Sequence, residues 1–436
     1  MSRILTQEES VVADEFEKRT FRKIFLRFMP LLICSFIVSY IDRTNIGFAS
    51  LTMNQSIGLN EITFGWGAGL LFFSYCLFEV PSNLALYRFG ARRWITRIMV
   101  TWGIISVATA FVTGPASFIG ARFLLGFAEA GFTPGVMYFL SCWFPGSYRS
   151  RALALFQLSV PLASLISGPL AGYLLQLDGW HGLEGWQWLF IIEGSPAILL
   201  GALIYLRLTD SPKDAKWLSE AERNLVIKAF EGEEVQKKKV NHLWSALKDP
   251  RVLILAGVQF GFTAGSYGLI IWMPRMLKGF GLTIEEIGLL TVIPYFLGCV
   301  STVIWSWAVD KRGGAAGNLV IACLLGAMGL LISIWFDSLY IAMFGLSISL
   351  IGITSARGLF WSIPPGFLSG RGAAGGLAFI NSIGTLGGFF APLIMGYLKE
   401  ATGSTTSGLS AMAGLIVLSA ILALYIRRVS APKEAI

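Results

Sequence analysis

The sequence predicts an all-α membrane protein in which twelve transmembrane helices form two six-helix bundles. Three observations predict it. Hydrophobic residues make up 55% of the 436 residues and charged ones only 14%, against about 25% charged in soluble domains. Apolar runs recur from residue 28 to residue 426, and a bilayer core takes roughly 20 such residues per helix. Eight or nine helices leave apolar stretches unplaced, whereas twelve do not. Lysine and arginine are shared very unevenly between alternate connections. Disorder is excluded, since it needs low hydrophobicity and high charge.

The first six spans fall at about 28–50, 63–87, 94–113, 117–142, 151–176 and 187–206. They make residues 1–206 one bundle. A polar linker follows over 207–250. Ser211-Pro212 reads there as a helix start with Pro at the first helical position, and Ser219 with Glu222 has capping-box spacing, so one or two short helices are expected. Six further spans at about 252–274, 284–308, 317–336, 339–362, 374–397 and 408–426 make 251–436 the second bundle. Weak internal symmetry supports the division. Tyr87-Arg88-Phe89-Gly90 closes the second span and Asp310-Lys311-Arg312-Gly313 closes the eighth. Paired halves around a central cavity are a transporter design. The charged N-terminus (Met1–Lys23) has no signal-peptide cleavage pattern.

With the N-terminus placed inside, 28 lysines and arginines lie on the inside and three outside: Arg275, Lys278 and Lys399. That is a strong positive-inside signal. It explains the net charge of +8 as orientation, without a nucleic-acid partner. The expected location is the inner (plasma) membrane, multi-pass, with both termini cytoplasmic.

The five cysteines (Cys34, Cys76, Cys142, Cys299, Cys323) fall within apolar runs without paired spacing and read as small core residues. His181 and His242 make no metal-ligand pair. No metal or cofactor is expected. There is no Walker loop, no His-Glu-x-x-His and no Gly-x-Ser-x-Gly, so neither an ATP-driven pump nor a hydrolase is predicted, and the chain is not an enzyme. Glycine pairs such as Gly65 with Gly69, Gly168 with Gly172 and Gly261 with Gly265 read as close helix packing.

The chemistry lies in the intramembrane charges. An ionised side chain at the bilayer centre costs about 2.5–3.5 kcal/mol on insertion scales, so such residues are functional by default. Asp42 and Arg43 lie in the first span, Arg122 and Glu129 in the fourth. Together they are neutral when ionised. Arg122 and Glu129 are seven residues apart and share a helix face. Tyr40 with Arg43, and Tyr75 with Glu79, do likewise. Facing helices would place guanidiniums, carboxyls and phenols around one cavity. An anion entering that set competes with Asp42 or Glu129 for an arginine, whose planar fork suits carboxylate. Protonating the displaced acid restores neutrality, so charge balance predicts proton-coupled anion symport. A packing-only ion network is the alternative. Arg357 in the tenth span either binds a second carboxylate, making the substrate a dianion, or snorkels to the cytoplasmic face. Glu79 and Glu193 read as structural.

At these residues the chain resembles the major facilitator superfamily, in its anion:cation symporter branch. The first half carries Tyr40-Ile41-Asp42-Arg43-Thr44-Asn45-Ile46-Gly47, Phe78-Glu79-Val80-Pro81-Ser82-Asn83, Gly90-Ala91-Arg92-Arg93-Trp94 and the run from Arg122 to Gly131. The second half carries Ile293-Pro294-Tyr295 and Phe379-Ile380-Asn381-Ser382-Ile383-Gly384. The resemblance implies alternating access and proton-driven uptake of an organic carboxylate such as a sugar acid, tartrate or an aromatic dicarboxylate. It implies Asp42 and Glu129 as proton carriers and Arg43 and Arg122 as anion or coupling residues. It also implies Tyr40, Tyr75, Trp361 and Asn381 as cavity-lining residues. The superfamily's loop motif usually has Asp before Arg88, where Tyr87 stands here, while Asp310 keeps it in the second half. Arg357 stands where the branch has an apolar residue. The expected partners are a small organic anion and the lipid bilayer, with the chain acting as a monomer. The alternatives are a sodium-coupled carrier, an anion exchanger and, more remotely, a non-transporting nutrient sensor.

Overall fold

A computed structural model describes residues 7–234, 249–364 and 370–430. Among them eleven helices are long and apolar enough to cross a membrane. The remaining crossing, the third, is the 19-residue helix Ala91–Thr109. Arg92, Arg93 and Arg97 crowd its first two turns and dilute its apolar character. The first helix, Gln7–Ala49, starts about 20 residues before the expected span. Large apolar side chains such as Leu84, Leu199, Leu206 and Phe344 stand exposed on the outer surface, as lipid-facing residues of a membrane bundle must.

The first bundle holds spans one to six, the second spans seven to twelve. On their outer sides the third span packs on the sixth, and the ninth on the tenth and twelfth. Among the described residues the bundles meet chiefly where the first span packs on the seventh, the second on the eleventh and the fifth on the eighth. Glycine permits the closest approaches. A Cβ on Gly47 would lie 2.8 Å from the Ile271 carbonyl oxygen, and one on Gly168 would lie 2.7 Å from that of Gly288. Gly65 and Gly69 serve the same end against Pro392 and Phe389. All of these contacts lie in the halves of the spans away from the chain termini. There, polar groups join the clamp. Arg275 donates to Ser50 Oγ at 2.8 Å and pairs with Glu61, and Lys399 reaches Glu61 at 3.0 Å.

The linker behaves as its caps predict. Ser211 caps the short turn Pro212–Asp214 by accepting from the Lys213 amide. Helix Glu220–Glu234 opens with a reciprocal box: the Ser219 amide donates to Glu222 and the Glu222 amide donates to Ser219 Oγ. Lys23 ties Glu222 to the first helix at 2.8 Å. His242 and Arg371 have no described side chain, nor does Asp310. Tyr87 is strongly exposed.

Candidate functional site

The first span offers two chemically different faces. Asp42 and Arg43 are neighbours in sequence, so about 100° of helix turn separates them. Ser39 and Arg43, four apart, both reach Glu129 of the fourth span. The Ser39 hydroxyl donates to Glu129 Oε1 at 2.5 Å, and Arg43 Nε donates to the same oxygen at 2.7 Å. The Arg43 guanidinium also lies over the Tyr75 ring, 4.6 Å from its centroid. This cation–π contact draws the second span into the group.

Asp42 points the other way. Trp102 Nε1 donates to it at 2.5 Å, the Ser106 hydroxyl donates to it as well, and the Asn45 amide donates at 3.3 Å. Trp102 and Ser106 are four apart on one face of the third span. Asp42 is 1% exposed and Arg122 is 0% exposed. Arg122 lies near both Asp42 and Glu129, yet none of its three guanidinium nitrogens has a hydrogen-bond partner among the described residues. The expectation of one shared cavity thus gives way to two layers. Arg43 and Tyr75 lie at the face between the bundles, while Asp42 and Arg122 lie inside the first bundle. Glu129 joins the layers, because Arg43 holds one side of it and Arg122 approaches the other.

A break in the fourth span fixes this junction. The helix Pro115–Glu129 ends at the acid itself, and Phe132–Trp143 resumes after Ala130 and Gly131. Gly131 has φ +85°, a left-handed conformation suited to glycine. The Ser82 hydroxyl seals the break by donating to the Ala130 carbonyl at 2.6 Å, and Trp94 Nε1 donates to Ser82 Oγ at 3.0 Å. The Pro81-Ser82-Asn83 motif therefore works as a splint beside Glu129. The sequence reads residues 117–142 as one unbroken span, although Gly131 and Pro134 are breaker residues within it.

The second bundle brings its own polar groups to the same interface. Arg357 Nη2 donates to Ser266 Oγ of the seventh span at 3.3 Å and stands beside Tyr40 of the first. It faces the first bundle and does not snorkel. Tyr267 lies near both Tyr40 and Arg43. The Asn381 amide donates to Glu79 at 3.5 Å and accepts from Gln259 at 3.4 Å. Glu79 therefore sits in this group, near Arg43, although the sequence alone reads it as structural. Gln259, Ser266 and Tyr267 were missed as well, since uncharged polar residues in an apolar run carry no distinct signal. Trp361 caps the tenth span one turn beyond Arg357 and meets Phe360 edge-on.

Two helical bundles clamped at one end, with intramembrane charges meeting at their interface, define a membrane transporter. A family model described as Major Facilitator Superfamily matches residues 31–379. The chain belongs to that superfamily and is a transporter, not an enzyme. It is 45% identical over 430 residues to a protein of Agrobacterium vitis named "Putative tartrate transporter", covering 98% of this chain and 96% of the relative. It is 41% identical over 415 residues to a quinolone resistance transporter of Acinetobacter baumannii, covering 94% and 95%. Among solved structures it is similar in fold to a D-xylose–proton symporter, with TM-score 0.74 at 16% identity, covering 92% and 97%. A bacterial homolog of the human lysosomal transporter Spinster gives TM-score 0.72 at 18% identity, covering 95% and 97%.

Proposed function

We propose that this chain is a proton-coupled symporter for a small organic dicarboxylate of the tartrate type, working by alternating access in the inner membrane with both termini in the cytoplasm. The observation that carries the reading is the placement of Arg43 and Arg357, one from each bundle, on either side of Tyr40 and Tyr267. A dicarboxylate has a charge for each guanidinium and joins the two bundles. Tyr75 and Asn381 line the same group and offer a ring face and an amide to the carbon skeleton and hydroxyls. The tartrate named for the Agrobacterium vitis relatives fits this chemistry.

Coupling follows from the Arg43–Glu129 pair. A substrate carboxylate that takes Arg43 leaves Glu129 buried and unpaired. A buried unpaired carboxylate is strongly disfavoured, so a proton follows the anion. Arg122 and Asp42 extend the network behind Glu129. The clamped end of the bundles must part for loading from that side, which breaks the Arg275–Glu61–Lys399 cluster.

Export of an aromatic carboxylate is a second reading, favoured by the 41% identity to the quinolone resistance transporter. A single carboxylate leaves Arg357 without an anionic partner, so the dicarboxylate is preferred. Thermal-shift titration of the purified protein with tartrate, a matched monocarboxylate and a quinolone separates the readings. Stabilisation by tartrate alone supports the proposal, and stabilisation by the quinolone alone overturns it.

A further inference from the structure

Glu193, in the sixth span Gly185–Arg207, is 3% exposed, and neither carboxyl oxygen has a hydrogen-bond partner among the described residues. Its polar neighbours are Asn45, close but short of hydrogen-bonding geometry, and Asp42. The third span packs against the adjacent Gly194 through Ser106, whose hydroxyl is already given to Asp42. The charged group facing Glu193 is thus another acid. Arg122 lies on the far side, beside Asp42 and Glu129.

Charge counting then changes. Inside the first bundle, among the described residues, Asp42, Glu129 and Glu193 meet only Arg43 and Arg122. Including the interface adds Glu79 and Arg357, and one acid remains in surplus. Asp42 has three donors and Glu129 has two, Ser39 and Arg43. Glu193 has none. A buried carboxylate without donor or counter-charge is the least tolerable charged state in the set, whereas a neutral carboxylic acid is readily housed there.

We propose that Glu193 is a third proton-carrying carboxyl, which holds a proton in this conformation and surrenders it during the transport cycle. The inference rests on the carrier reading above. Asn45 and Asp42 connect it to the first span. When Asp42 is neutralised, the acidic neighbour that opposes ionisation of Glu193 disappears, so the two acids share protons as a unit. Glu193 acts behind the anion site and touches no substrate.

Two measurements test it. Infrared spectroscopy of the purified protein in lipid at neutral pH should show the carbonyl stretch of a neutral carboxylic acid. That band should be absent in Glu193→Gln and present in Glu129→Gln and Glu79→Gln. No such band in the wild type, or its persistence in Glu193→Gln, overturns the assignment. If Glu193→Gln does not fold, as judged by its melting temperature, glutamate labelled with carbon-13 at the side-chain carboxyl decides instead. The band must shift in the wild type and in the Glu129→Gln and Glu79→Gln backgrounds, and an unshifted band overturns the proposal. Reversal-potential measurement in proteoliposomes tests movement of the proton. The proton-to-substrate ratio should fall by about one in Glu193→Gln, and an unchanged ratio overturns the transfer role. Absence of tartrate flux in the wild type defeats the carrier reading, while the infrared band still decides where the proton resides.

Discussion

Arg43 is held between Glu129 and Tyr75, with its Nε donating to the carboxylate at 2.7 Å and its guanidinium 4.6 Å from the ring centroid. The arrangement makes one side chain both the counter-ion of a buried acid and a group at the face between the bundles. On the proposed reading, an anion that takes Arg43 leaves Glu129 as the group that takes up a proton.

Arg43→Ala should abolish measurable tartrate binding, and Arg43→Lys should not restore it. Breaking a buried pair costs about 3–5 kcal/mol, equivalent to at least 100-fold in affinity, and lysine lacks the planar fork. Thermal-shift titration checks both. Affinity within about threefold of wild type for Arg43→Ala would remove Arg43 from the anion site.

Arg357→Ala should weaken a dicarboxylate by roughly 10- to 100-fold, the range of one charge-assisted hydrogen-bonding group. A monocarboxylate should change by less than about threefold. Competition binding with the two acids side by side gives the ratio. Equal losses would assign Arg357 a structural role through Ser266.

Glu61→Ala should loosen the clamp, because it removes the acid shared by Arg275 and Lys399. Spin labels at positions 178 and 282, on opposite bundles, should show a longer distance or a broader distribution. An unchanged distribution would mean that the glycine contacts alone hold this end.

The linker helix should detach in acid. Burial acts to raise Glu222, but its hydrogen bonds with Lys23 and Ser219 outweigh this and hold its carboxyl below the usual range. A lowered acid stabilises docking above its ordinary value, and that stability is lost as pH falls through the lowered value. The exposed half of the Lys23–Glu222 pair limits the effect to about 1 kcal/mol. Hydrogen exchange over 220–234 should rise at low pH, and in Glu222→Gln at neutral pH. Exchange that ignores both would detach the helix from this contact.

The bundle architecture was legible because apolar length and charge placement are set by the bilayer and need no tertiary information. Arg122 and Glu129 were correctly placed on one helix face, since seven residues make two turns. Asp42 and Arg43 were wrongly merged into one cavity. One residue of helix rotation sends them to different neighbours, and the donors that claim Asp42, Trp102 and Ser106, look like ordinary apolar-span residues. Glu79 and Glu193 read as structural for the same reason. Their significance comes from what other spans fail to supply or happen to supply, and neither is encoded near them.

Tartrate uptake into proteoliposomes, driven only by an acidic exterior, tests the central claim most directly. The wild type should accumulate tartrate above equilibrium and lose accumulation when the proton gradient is collapsed. Asp42→Asn and Glu129→Gln should fail to accumulate it while still exchanging labelled for unlabelled tartrate. Accumulation that is indifferent to the proton gradient and dependent on sodium, or normal in both variants, would contradict the account.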